Sequence, residues 1–186
     1  TSILFSGNGK GSPRMIVVTS ASPGEGKTTV AVNLAIASAE TGQKVLLIDA
    51  DTRKPRVHEV FEVTNDGGFT GVLRGEKWRE SIRPSGMDGL SVLTAGPGVA
   101  GPSNLLYSKH LARLIHEVKG AFDMVVFDSP PMMQIPDARL LGKITDGVVL
   151  VVRAGKTTRD AALAARMRLA EDGVTFIGTV LNDWEP

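Results

Sequence analysis

The run Ala21-Ser22-Pro23-Gly24-Glu25-Gly26-Lys27-Thr28 has the residue types and spacing of a phosphate-binding loop, fitting (A/G)-x-x-x-x-G-K-(S/T). Gly24 and Gly26 let backbone N–H groups turn inward around phosphate oxygens, where a Cβ would obstruct the approach. Lys27 can reach β- and γ-phosphates and Thr28 offers a hydroxyl to Mg²⁺, while the N-terminus of a following helix adds partial positive charge. Pro23, Gly24, Glu25, Gly26, Lys27, Thr28 and Thr29 are the candidate nucleotide-binding residues. Carboxylates complete the set. Asp49 and Asp51 close one apolar run, with Arg53 just beyond, and Asp128 closes another. A carboxylate leaving a buried strand is costly unless a cation or donor meets it. Mg²⁺ on nucleotide phosphates does so, directly or through its waters, which makes Thr28, Asp51 and Asp128 candidate metal ligands. The competing reading of each aspartate is a helix or turn cap.

These residues need a scaffold, and the apolar pattern supplies one. Met15-Ile16-Val17-Val18 enters the loop as a buried strand, and a helix from about Lys27 to Glu40 leaves it, ended by Gly42 as a C′ glycine. Further strands are expected at 44–49, 90–94, 124–128, 147–153 and 176–181. Helices are expected at 108–119, 138–143 and 158–171, with short helices and turns over 55–72. Leu111, Leu114, Ile115 and Val118 mark one apolar face of the 108–119 helix. Thr157-x-x-Asp160 reads as a helix N-terminal capping pattern. Residues 1–5 read as the end of a helix and 6–14 as a linker. Continuous apolar strands alternating with helices predict a single α/β domain over 1–186, a three-layer sandwich around a mostly parallel sheet. In such a sheet ligands gather at the C-terminal edge of the strands, where the three aspartates fall.

Bulk composition removes several kinds of chemistry. The chain has 186 residues, 21 basic and 20 acidic, for a net charge of +1, which offers no polyanion-coating surface and no sign of nucleic-acid binding. With no cysteine, disulfides, thiolate zinc sites and cysteine nucleophiles are all excluded. His58, His110 and His116 lack metal-ligand spacing and read as ordinary histidines. No apolar run approaches the length of a transmembrane helix.

The run Val45-Leu46-Leu47-Ile48-Asp49-Ala50-Asp51-Thr52-Arg53-Lys54-Pro55 resembles the Walker A′ motif of bacterial tyrosine kinases. Val125-Val126-Phe127-Asp128-Ser129-Pro130-Pro131 is similar to their Walker B motif. The segments Leu93 to Pro97 and Pro102 to Leu106, Asp137-Ala138, Val151 to Arg153 and Val180 to Asn182 follow in the family's order. The resemblance implies a P-loop NTPase fold with ParA/MinD-like topology and transfer of the γ-phosphoryl group of ATP to tyrosine, with ATP and Mg²⁺ as cofactors. It also implies a soluble segment at the cytoplasmic face of the inner membrane. Its partners would be a membrane-embedded polysaccharide co-polymerase, fused or separate, a tyrosine-bearing protein substrate that includes its own tail, and further copies of itself. A ParA/MinD-like positioning ATPase is the alternative. Those proteins carry an extra lysine early in the loop, where this chain has Ser22, and lack the Arg-Lys-Pro run. A nucleotide-binding module without turnover is a third reading.

Within that resemblance Lys27, Asp49, Asp51, Asp128 and Arg53 form the expected catalytic set. Asp49 is the first candidate to accept the tyrosine proton, although spacing leaves its division of labour with Asp51 open. Arg53 stabilises developing charge, touches a neighbouring subunit or forms a surface ion pair. Asn182 reads the adenine edge or caps a turn. The family's C-terminal tyrosine cluster and Glu-x-x-Arg-x-x-Arg oligomerisation motif are expected on flanking sequence. The chain's one tyrosine, Tyr107, is expected to pack beside a helix.

Overall fold

The computed structural model describes residues 12–98 and 102–184; the helix end expected over 1–5 and most of the 6–14 linker lie outside them. Seven strands form one sheet: β1 (Met15–Ser20), β2 (Val45–Asp49), β3 (Arg83–Pro84), β4 (Leu90–Leu93), β5 (Met124–Asp128), β6 (Gly147–Arg153) and β7 (Phe176–Asn182). Their order is β3-β4-β2-β5-β1-β6-β7. All neighbours run parallel except the short β3, which pairs antiparallel to β4 at the sheet edge. Among the described residues the helices are α1 (Lys27–Glu40), α2 (Val57–Val60), α3 (Gly68–Leu73), α4 (Trp78–Ser81), α5 (Pro102–Leu105), α6 (Lys109–Ala121), α7 (Asp137–Gly142) and α8 (Arg159–Glu171). None of them is long and apolar enough to cross a membrane.

The strand period of two sends alternate side chains to opposite faces, and both faces are apolar because both are covered. Ile16, Val18, Leu47, Val126 and Val149 meet α1, whose Ala31, Ala35 and Ala39 keep the helix close to the sheet. Val17, Leu46, Ile48, Val125, Phe127 and Leu150 meet the other layer, which contributes Phe69 from α3, Leu114 and Val118 from α6, Leu141 from α7 and Leu169 from α8. The α6 stripe behaves as its sequence period predicts: Leu111, Leu114 and Val118 are buried and Ile115 packs partly against the same core.

Three expectations change. The strand β3 and the four-residue helices α4 and α5 have no counterpart in the sequence reading, being too short to show a recurring period. Tyr107 does not pack beside the helix: it is 72% exposed in the turn between α5 and α6, while Leu105 and Leu106 take the places against the core. The cap of α8 is Thr158, whose hydroxyl accepts the Ala161 N–H at 3.2 Å, and not Thr157.

Candidate active site

β1 runs into the loop at Ser20, and α1 begins at Lys27 with Gly26 as its N-cap and no side chain capping its first turn. The first N–H groups of a helix have no intrahelical partner, so this end is open to an anion. Gly24 and Gly26 have φ of +76° and +89°, a region that side-chain-bearing residues rarely occupy. At Gly26 there is also no room, because a Cβ there would stand 2.0 Å from the Asn182 Nδ2 atom.

Register places the carboxylates. Asp49 lies opposite Asp128 across β2 and β5, and Asp128 lies opposite Val18 of β1. Each falls an even number of residues from Leu47 or Val126, so both are on the α1 face of the sheet, beneath the start of that helix. Thr28 donates its hydroxyl to Asp128 Oδ2 at 2.6 Å. Lys27 Nζ is 2.8 Å from Asp51 Oδ2 and 3.8 Å from Asp128 Oδ1. That Asp128 Oδ1 atom is buried and accepts no hydrogen bond. Asp49, fully buried, accepts the Asp51 N–H on Oδ1 and the Arg56 and Val57 N–H groups on Oδ2. Beyond β5, Ser129 donates its hydroxyl to Val18 O at 2.9 Å and Thr19 donates to Pro130 O at 2.8 Å, fixing the strand exits side by side.

Burial, followed by the charge of Asp128, pushes Asp49 up to about 7. Asp128 is pushed to about 6 by burial, against the opposing pull of the Lys27 charge. Burial works to lower the pKa of Lys27, but the charges of Asp128 and Asp51 outweigh it and raise the lysine above its ordinary value. Carboxylates crowded in a buried site and short of positive charge make a place where a divalent cation is stabilised.

Above this cluster opens a cleft of about 400 Å³. Pro23, Gly24, Gly26, Lys27 and Thr28 form one wall, Asp51, Arg53, Lys54 and Arg56 another, and Pro130, Pro131, Gln134 and Ile135 a third. Thus Lys27, Thr28, Asp51 and Arg53 share the cleft, and Asp128 lies against Lys27 and Thr28. Asp49, Glu25, Thr29 and Asn182 are not among the lining residues. The Glu25 side chain turns away from the cleft, and the Asn182 amide donates to Glu25 O at 3.1 Å. Sequence reasoning missed Arg153, Lys156 and Thr157, which hold the loop from behind: Arg153 Nη1 donates to Gly24 O at 3.1 Å and Lys156 Nζ to Pro23 O at 3.3 Å. No pattern of spacing marks this role, since Arg153 and Lys156 act on loop carbonyls and Thr157 on the Glu25 carboxylate, all more than a hundred residues away.

A family model described as AAA domain matches residues 13–159. Tyrosine-protein kinase YwqD of Bacillus subtilis is 44% identical over 170 residues, covering 91% of this chain and 72% of that protein. Among solved structures, the chimerical protein CapA2B2 superposes with a TM-score of 0.93 at 34% identity, covering 99% of this chain and 81% of that one. The septum site-determining protein MinD of Pyrococcus horikoshii, complexed with Mg-ADP, gives 0.75 at 25% identity, over 90% of this chain and 69% of its own. A family model over most of the chain and a relative of 44% identity covered to 72% show that the chain belongs to the bacterial protein-tyrosine kinases, built on a phosphate-loop NTPase fold.

Proposed function

We propose that the cleft binds ATP with Mg²⁺ and passes the γ-phosphoryl group to a tyrosine hydroxyl, within a system that controls capsular or exopolysaccharide synthesis and export. The observation that carries this reading is the cluster at the start of α1. One lysine faces two carboxylates, beside a hydroxyl already aimed at Asp128 and an Asp128 oxygen with no donor. These groups suit a Mg²⁺ ion that takes one or two carboxylates and keeps its other positions for phosphates and water. Thr28, Asp51 and Asp128 would hold it, and when bound it neutralises charge on the phosphates.

Lys27 and the loop amides hold the β- and γ-phosphates. The tyrosine oxygen bonds to the γ-phosphorus as the bond to the β–γ bridging oxygen breaks, ADP leaves, and the phenol proton passes to a carboxylate. A phenol with pKa near 10 and a carboxylate near 4 transfer that proton late, so the acceptor mainly orients the hydroxyl. Both aspartates are buried and partnered, Asp49 by backbone N–H groups on both oxygens and Asp51 by the Lys54 N–H and the Lys27 ammonium, but of the two only Asp51 lines the cleft, through partners that are themselves at the cleft. We therefore give the hydroxyl to Asp51 and assign Asp49 to hold the 50–57 turn. Arg53, at the cleft wall, faces the developing charge. Asn182 steadies the loop through Glu25 O, which leaves its side-chain oxygen as the acceptor we assign to the adenine amino group.

The partners that fit this activity are a membrane-embedded co-polymerase, fused or separate, a tyrosine-bearing substrate that includes the protein's own tail, and further copies of the chain. These place the soluble domain at the cytoplasmic face of the inner membrane. The Lys27→Met substitution tests the reading. Phosphotyrosine formation from ATP should fall to background while the circular-dichroism spectrum stays that of the wild type. Transfer at the wild-type rate would remove the loop from the mechanism. The MinD likeness at 25% identity keeps one rival in view, an ATPase that positions cargo. Hydrolysis stimulated by DNA or lipid without any phosphotyrosine would decide for it.

A further inference from the structure

Glu25 sits in the middle of the phosphate loop, yet its side chain is only 2% exposed. A buried carboxylate is tolerated where donors surround it, so the loop shape that supplies those donors is favoured over others. Ser22 N–H donates to Oε2 at 2.9 Å and the Thr157 hydroxyl donates to Oε1 at 2.5 Å. The Thr157 hydroxyl is itself aligned, because its oxygen accepts the Arg153 N–H at 2.8 Å and its proton is left for Glu25.

The same wall grips successive carbonyls of the loop from outside. Lys156 donates to Pro23 O, Arg153 to Gly24 O and Asn182 to Glu25 O, at 3.3, 3.1 and 3.1 Å. In a planar trans peptide the N–H points opposite to its C=O. Holding the carbonyls of residues 23, 24 and 25 outward therefore turns the N–H groups of Gly24, Glu25 and Gly26 to the inner side of the loop. Arg153 is steadied in turn by Asp183, with its Nη2 2.6 Å from Oδ2.

We infer that Thr157 is a positioning residue for the phosphate loop. Its hydroxyl clamps the Glu25 carboxylate against the turn after β6, and so keeps the loop amides in a phosphate-receiving arrangement before any nucleotide arrives. The inference rests on the nucleotide reading of the cleft and adds a device that lies outside it. It also explains why a threonine just before α8 leaves the capping of that helix to its neighbour, Thr158.

Isothermal titration with Mg-ADP, paired with thermal unfolding of the nucleotide-free protein, tests it. Wild-type binding is the control for the cleft itself, and its absence overturns both readings. Thr157→Val keeps the shape and removes the hydroxyl. Its Kd should rise about tenfold, the scale of one hydrogen bond to a charged group, and KM for ATP should rise with it while KM for a tyrosine peptide stays unchanged. Thr157→Ser should restore wild-type affinity. A merely structural role would lower the unfolding midpoint and leave Kd alone, so wild-type affinity in Thr157→Val overturns the inference. So does failure of Thr157→Ser to rescue. If Thr157→Val does not fold, Glu25→Gln replaces charge-assisted bonds with weaker neutral ones; its Kd should rise severalfold, and an unchanged value overturns the inference equally.

Discussion

Asp49 commits both carboxylate oxygens to backbone N–H groups of Asp51, Arg56 and Val57, whereas Asp51 faces Lys27 at 2.8 Å. Replacing each by asparagine should therefore do different damage. In Asp49→Asn an amide N–H₂ must face at least one backbone N–H, which costs about 1–3 kcal/mol when a buried donor loses its acceptor. Chemical denaturation should show that loss. Asp51→Asn removes a carboxylate at the cleft where the hydroxyl and the metal meet. It breaks the buried pair with Lys27 and so also costs stability, but its distinguishing mark should be a fall in phosphotyrosine formation of about a hundredfold or more, the scale of a lost general base, where Asp49→Asn keeps transfer nearer the wild-type rate. If the two variants exchange these phenotypes, the division of labour is reversed. Spacing in the sequence could not separate the pair, because both aspartates end the same apolar run; only the turn over 50–57 distinguishes them.

At the scale of elements, what was legible followed from length. β1, β2, β5 and β6 are uninterrupted apolar runs and α6 carries a clear stripe, so each stands where its pattern puts it. β3 spans two residues and α4 and α5 four each, about one repeat of their periods, so no pattern has room to recur. The capping of α8 was misassigned by one position, because Thr157 and Thr158 both suit an N-cap and only packing assigns one to the helix and the other to Glu25. The phosphate loop was legible as a motif, but the side chains that shape it from behind were not. Gly26 shows what that costs. Gly26→Ala forces a Cβ into a φ of +89° and to within 2.0 Å of Asn182 Nδ2. The backbone part alone amounts to about 1–2 kcal/mol, and Mg-ADP binding should be lost. Adding Asn182→Ala should recover part of the stability by relieving the clash, without recovering the binding. Full additivity of the two substitutions in denaturation would mean that they do not touch.

Across the whole molecule, the buried rim carboxylates tie global stability to pH and to ligand. Asp49 rises to about 7 and Asp128 to about 6 in the fold, from an ordinary 3.8. Between about pH 4 and those values the folded state binds protons that the unfolded chain has released, so stability falls as pH rises. Above about pH 8 both groups are ionised in both states and this slope ends. Lys27, raised above 10.5, keeps its charge throughout this window and adds no slope there. Burial works to raise Asp172, but the Arg139 hydrogen bond and neighbouring positive charges together hold it low, so it acts with the opposite sign, and its contribution is already complete above about pH 5. The unfolding midpoint of the nucleotide-free protein should therefore decline from pH 5 to pH 8, and Asp49→Asn, which cannot titrate, should decline less. Mg-ADP should reverse the trend: a divalent ion needs these carboxylates ionised, so its stabilisation should be larger at pH 8 than at pH 5. A midpoint that climbs with pH in the free protein, or a ligand shift that is the same at both ends, would mean that the rim aspartates are neither proton-bound nor metal-bound in the way their burial requires.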